Sequence, residues 1–267
     1  VVGYLGQMIE RDEGRELVAA ALREAPNWRR QFFALLPRSS RSPAAVLALM
    51  LALKEAGQPP NGDELQAFLN QLMRQKRFGF AYNVWLQLLS PDELSRVRQI
   101  NNAGFETTPT GLPYDWTFGR TQNAVAEIAA DPTREGNRAL HVSFAGGRVS
   151  GINVSQVLML TPGTYDVQGE MRGQLSGKRG LRWRASCLGA KKESIGESDM
   201  YFTTVAEWQP FSFPVEVSDA TACPAQQLVL IHDARSASEQ LVSGTYWFDN
   251  LKVVPRNVGA APRSAER

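Results

Sequence analysis

From Gln7 to Leu36 the apolar residues Leu17, Val18, Ala21 and Leu22, then Trp28, Phe32, Phe33, Leu35 and Leu36, recur at three- and four-residue steps. The pattern is interrupted at Pro26, which predicts a helix, a turn and a second helix. The opening run VVGYLGQMIERDEGRELVAAALREA already reads as helix. Pro37 and RSSRS close the pair. SPAAVLALMLALKEAG restarts it, with Ser42 as cap, Pro43 in the first turn and Gly57 past the last. Asn61 or Asp63 then caps DELQAFLNQLMRQ, and FGFAYNVWLQLLS supplies a fifth helix before Pro91.

After Asn101 the helical period stops and short alternating runs bounded by Gly, Pro, Asn and Asp replace it. Eight strands are expected: AVAEIA, RALHVSFA, INVSQVLML, TYDVQGEMRG, LRWRASCL, QPFSFPVEV, QQLVLIHDA and TYWFDNLKVV. Alternation of Phe211, Phe213, Val215 and Val217 turns one face inward, as two packed sheets require. The fold class is therefore α+β in two domains, an all-α helical-hairpin domain over residues 1–98 and an all-β jelly-roll sandwich over 99–256. Residues 257–267 are expected to be a disordered tail. A chain of 267 residues has room for a core in each half.

Composition narrows the partners. Against 29 basic residues stand 27 acidic ones, a net charge of +2, which gives no field for a polyanion. No run of about 18 apolar residues occurs to span a bilayer. The chain opens at Val1 inside a helical pattern, so it is expected to be a processed or trimmed piece, with any leader or anchor lying upstream.

Two resemblances sharpen this picture. Leu65, Phe68, Leu69 and Leu72, followed by Phe78, Ala81, Trp85 and Leu88, resemble the large-small-large pattern of a tetratricopeptide repeat in one hairpin, with no clean period through residues 1–60. Such hairpins commonly use their free surface for protein contacts. The plainer reading is that these aromatics are core. NNAGFE followed by PYDW, then Ser155-Gln156 leading through VLMLTPGTYDV, Trp208 ahead of FSFPVEV, and WFDNLKVV at the close together resemble carbohydrate-binding modules with the galactose-binding-like jelly roll, of the family 4, 9 and 22 type. The resemblance covers residues 100–255 and implies a binding module without catalysis. Helices joined directly to such a module resemble bacterial envelope proteins associated with extracellular polysaccharide. It also implies a structural calcium joining first and last strands, at Glu106 and Asp249. The alternative for Asp249 is a carboxylate held by backbone donors. No other cofactor is required.

Glycan hydrolysis needs two carboxylates about 5 to 9.5 Å apart. Asp166 and Glu170 share a strand face but stand about 13 Å apart along it, and Glu127 with Glu170 is the remaining pair. His141 and His232 both fall inside strands, and no GxSxG, HExxH or phosphate loop occurs, so the chain is not expected to be an enzyme. Sugars are held by rings stacking on pyranose faces and by planar polar groups meeting hydroxyls. TYDVQGEMRG throws Asp166, Gln168, Glu170 and Arg172 to one side, and LRWRASCL throws Arg182 and Arg184 to one side. If the two strands pair, an Arg-rich ligand face results, bordered by Tyr114, Trp116 and Trp247. The plainer reading is a solvated sheet face. Trp183 and Trp208 are assigned to core, and Trp116 is balanced between core and ligand. KRGLRWR interleaves Arg and Trp, yet no basic stripe continues it, so no nucleic acid is expected.

Cys187 and Cys223 stand at strand ends and are expected to form a disulfide, which belongs in an oxidising compartment; two buried thiols are the alternative. The sequence reading is thus a noncatalytic periplasmic or envelope protein that binds polysaccharide or oligosaccharide through the sandwich and a protein through the helices. The alternatives are a purely protein-binding scaffold and a glycoside hydrolase fragment.

Overall fold

The computed structural model describes residues 2–189 and 193–256, apart from the side chain of Val2. The expected tail, residues 257–267, lies outside the described residues. Contacts divide the chain into two compact units. One comprises Val1–Val97 with Leu112–Tyr114, the other Arg98–Gly111 with Asp115–Arg267.

The first unit is helical: α1 (Val2–Met8), α2 (Asp12–Arg23), α3 (Arg29–Ser39), α4 (Pro43–Glu55), α5 (Gly62–Arg74), α6 (Phe78–Leu88) and the short α7 (Pro91–Ser95). The opening run is two helices, not one. A turn at Ile9–Arg11 buries Ile9 completely, and Gly14 meets the Met8 carbonyl where a Cβ would stand 2.3 Å from its oxygen. The helices contact one another in two layers, α1 on α3 on α5 and α2 on α4 on α6, with α1–α2, α3–α4 and α5–α6 as hairpins. Ser42 caps α4 through Ala45 N, and Asn61 with Glu64 forms a capping box on α5. Glu64 is buried and takes a second partner, Arg29 Nε at 2.8 Å, so the cap and the α3–α5 contact share one carboxylate. Ala81, fully buried, is the small residue that lets α5 and α6 approach. Tyr114 belongs to this unit. Its ring lies 5.0 Å from Tyr82 and 5.7 Å from Trp85, and its hydroxyl donates to the Phe78 carbonyl at 2.7 Å.

The second unit is an antiparallel sandwich of β1 (Thr117–Phe118), β2 (Ala124–Ala130), β3 (Arg138–Arg148), β4 (Val154–Leu158), β5 (Gly163–Gly177), β6 (Leu181–Cys187), β7 (Ser194–Glu197), β8 (Val205–Val217), β9 (Gln226–His232) and β10 (Leu241–Pro255). One sheet runs β1-β4-β9-β6-β7 and the other β2-β3-β10-β5-β8. All eight expected strands are present. β1 and β7, at two and four residues, are too short to carry a period. The inner faces meet around Trp116, Trp183, Tyr246, Phe248 and Leu140, all wholly buried. Trp116 stacks on Phe105 at 5.1 Å and its Nε1 donates to the Asn102 carbonyl, so it is core.

Cys187 at the end of β6 is bonded to Cys223 ahead of β9. β6 and β9 are neighbours in register, Cys187 opposite Gln226. The intervening chain adds β7 to the edge of this sheet, supplies β8 to the other one, and returns, so the bond closes the base of that excursion. Among the described residues no helix is long and apolar enough to cross a membrane.

Candidate ligand-binding face

β5 pairs with β10 and β8, while β6 pairs with β9 and β7 in the opposite sheet. The expected pairing of β5 with β6 is therefore wrong, and the two groups of polar residues do not meet. Alternation fixes which residues share a face within one strand, but which strands are neighbours depends on connections through the whole sandwich. Arg182 and Arg184 share Glu197 on the first sheet and lie 3.9 and 3.8 Å from Asp233. Burial works against ionising Glu197, but hydrogen bonds from Arg184 and Arg182 outweigh it and hold its pKa below the usual range. The arginines of KRGLRWR are thus spent on internal ion pairs.

The second sheet carries a different assembly on its outer face. Register places Glu127 on β2 opposite His141 on β3, His141 opposite Trp247 on β10, and Trp247 opposite Arg172 on β5. Trp208 on β8 completes the row. The side chains stack along it: His141 lies 4.2 Å from Trp247, and the Arg172 guanidinium sits 5.1 Å from the Trp247 ring and 5.4 Å from Trp208. Arg134 covers Trp208 at 4.6 Å. Guanidinium groups lie against both tryptophans, each such contact contributing about 0.5–2 kcal/mol. Four inter-strand spacings make the row about 19 Å long.

Acids flank the stack. Arg172 donates to Asp131 Oδ1 at 2.9 Å, and Arg134 donates to Glu170 Oε2 at 2.7 Å. Desolvation opposes ionisation of Asp131. Hydrogen bonds from Thr133 and Trp208, with the charge of Arg172, outweigh it, so its pKa is lowered. Glu170 is lowered first by Arg134 and then by Asn250. His141 Nδ1 is 3.6 Å from Glu127, yet burial dominates and pushes the imidazole pKa down, leaving it neutral near pH 7. Arg172 Nε is buried without a hydrogen-bond partner.

Of the residues expected at a ligand face, Glu170, Arg172 and Trp247 come together here. Asp166 and Gln168 occupy the same face further along β5, Asp166 about 20 Å from Arg172 along the strand and paired with Arg256 at 2.6 Å. Tyr114 and Trp116 are not on it, being wholly buried. Trp208, expected in the core, is half-buried on the outer face. Reasoning from sequence passed over His141, Asp131 and Arg134 as ligand-face residues. His141 and Trp247 sit at outward positions in alternating strands, a signal that was available; Asp131 and Arg134 lie in a loop whose reach the sequence does not encode. Glu127 and Glu170 stand three strands apart, roughly 14 Å, too far for a hydrolytic pair.

The expected metal ligands are close neighbours. Beside Gly104, the place a Cβ would occupy is 3.7 Å from Asn250 Oδ1, 3.8 Å from Asp249 Oδ1 and 3.9 Å from the Glu106 γ-carbon. Asp249 is wholly buried and its pKa is raised, by desolvation and further by Glu106, against the opposing hydrogen bonds of Asn137 and Asn250 N and the charge of Arg134. Carboxylate and amide oxygens around a small cradle suit calcium. Among the described residues no three Asp, Glu, His or Cys side chains gather as a metal group, so further oxygens would be amide or backbone.

No family model matches the chain, and no curated protein matches it. Solved structures resemble its C-terminal part. A family 4 carbohydrate-binding module is 16% identical, with 59% of this chain and 99% of that one covered and a TM-score of 0.42. A xylan-binding family 22 module from Paenibacillus barcinonensis is 12% identical over 60% and 94%, TM-score 0.39. The enzymatically active domain of a tailspike from bacteriophage CBA120 is 9% identical over 60% and 22%, TM-score 0.42.

Proposed function

We propose that this is a noncatalytic glycan-binding protein of the periplasm or cell envelope, which holds an oligosaccharide or a segment of polysaccharide on the outer face of β2-β3-β10-β5-β8. The observation that carries the reading is the row Glu127–His141–Trp247–Arg172–Trp208, five planar side chains in line across one sheet face. A merely solvated face has no need of two tryptophans and a nearly buried arginine. The sequence resemblance to carbohydrate-binding modules points the same way. The disulfide supports an oxidising compartment. Two layers of helices meeting as hairpins support a short repeat stack in the helical unit, which engages a protein partner. Glu106, Asp249 and Asn250 would hold a calcium ion, whose charge would offset two adjacent carboxylates.

A second reading has its own support. The faces of Trp247 and Trp208 are already covered by His141, Arg172 and Arg134, as they would be in a scaffold whose sandwich binds protein. A glycan array probed with the full chain and with Trp247→Ala separates the two. Binding that falls at least roughly tenfold in the variant supports the glycan reading, and silence across the array leaves the scaffold.

A further inference from the structure

Two side chains that alternation points outward, Ala139 and Asp249, are 0% exposed. Asp249 is covered by the loop between β2 and β3 together with Gly104 and Asn250. Asn137 donates to Asp249 Oδ2 at 3.0 Å, and Arg134 reaches the same oxygen at 3.7 Å and Glu170 at 2.7 Å. The loop extends beyond β10 and β5 to the far strand, where Trp208 Nε1 donates to Asp131 Oδ2 at 3.0 Å and to Thr133 Oγ1 at 3.3 Å. Asp131, 5% exposed, is where these contacts converge. One oxygen takes Arg172, Thr133 N and Thr133 Oγ1, and the other takes Trp208. Such a carboxylate ties the loop to Arg172 and Trp208 of the row.

We propose that the β2–β3 loop is a fixed wall of the ligand face and that Asp131 is its positioning residue. The wall closes the Ala139–Asp249–Glu170 side. The rest of the face carries the Glu127–His141–Trp247–Arg172 row, in which Trp247 is only 9% exposed, and the more open next row along the strands, Val125–Ser143–Thr245–Gln174. A chain lying there runs across the strands beside the loop, with no room for a branch on the wall side. This rests on the glycan reading and adds a ligand class, linear rather than branched glycans.

The test uses the full chain with Asp131→Ala, Asp131→Asn and Trp208→Phe, the last keeping the ring over the guanidinium groups while deleting the Nε1–H donor. Amide hydrogen exchange of residues 132–137 should rise roughly tenfold or more in Asp131→Ala, with Asp131→Asn intermediate because it retains an acceptor. On an array of linear and branched oligosaccharides of matched composition, the wild type should bind linear probes more tightly than branched ones. In Asp131→Ala and Trp208→Phe the ratio of branched to linear binding should rise roughly tenfold over wild type. Equal wild-type binding of both probe sets overturns the wall and leaves the glycan reading intact. Binding of neither by any form overturns the reading and the wall with it. Unchanged exchange in Asp131→Ala overturns the positioning role, and should that variant fail to fold, Trp208→Phe supplies the same comparison.

Discussion

Removing the disulfide tests how the sandwich is held. Cys187 and Cys223 lie 36 residues apart, and the loop they close contains both β7 and β8. In the chain-entropy model a loop of that length removes about 13 cal/mol/K from the unfolded chain, or about 4 kcal/mol at 25 °C. That is a large share of the 5–15 kcal/mol by which a domain of this size is ordinarily stable. In the double variant Cys187→Ala/Cys223→Ala both sites remain buried and apolar, so the loss should be mostly entropic, with a small packing contribution. At about 2–4 °C per kcal/mol for a unit of this size, the melting temperature of the sandwich should fall by roughly 8–15 °C. Scanning calorimetry of the full chain reports it, since the helical unit holds neither cysteine and its transition should not move. Wild-type protein treated with reductant under mild denaturation should reproduce the shift. A fall of less than about 3 °C, under 1 kcal/mol, would show that the strand pairing of β6 with β9 closes the loop by itself and that the argument from chain entropy is wrong.

Trp116→Ala should cost about 3–5 kcal/mol of sandwich stability, measured by urea titration, because a wholly buried indole leaves a cavity; a loss under about 1 kcal/mol would contradict its place in the core. Tyr114→Phe should cost the helical unit about 0.5–1.5 kcal/mol by removing the hydrogen bond to the Phe78 carbonyl. Burial raises the Tyr114 phenol above its ordinary 10.0, so its contribution is complete below about pH 10 and is lost as pH rises further. Denaturation at alkaline pH should therefore show a steeper loss in wild type than in Tyr114→Phe. Glu170 is held below its ordinary 4.5 by Arg134 and Asn250, so the stability it contributes is present above that pH and lost as pH falls; the acid limb of a melting-temperature profile should flatten in Glu170→Gln. Calcium at a hundredfold excess over its dissociation constant should stabilise the sandwich by about 2.7 kcal/mol. A chelator should reverse that in wild type and have no effect in Glu106→Gln or Asp249→Asn, and an unchanged wild-type melting temperature removes the ion from the proposal.

Periodicity and punctuation carried much of this protein into view. Steps of three and four in the first half and two in the second are imposed by backbone geometry on any segment that buries one face. Ser42 and Asn61 marked helix starts because an unpaired backbone N–H needs a local partner, and Pro43 because it has no N–H to leave unpaired in the first turn. Even the outward set on β5, ending in Glu170 and Arg172, follows from alternation alone. Tertiary structure decided what those outward residues meet. Whether Arg172 lies beside Arg184 or beside Trp247 depends on strand order, and strand order is set by long-range burial, which local pattern does not contain. Tyr114 and Trp116 stand two residues apart in one loop and belong to different units, because each ring was captured by whichever core lay within reach. Trp208 follows the inward-outward rhythm into solvent and is then covered by a loop from the far edge of its sheet, a contact that exists only once β2, β3, β10, β5 and β8 have paired.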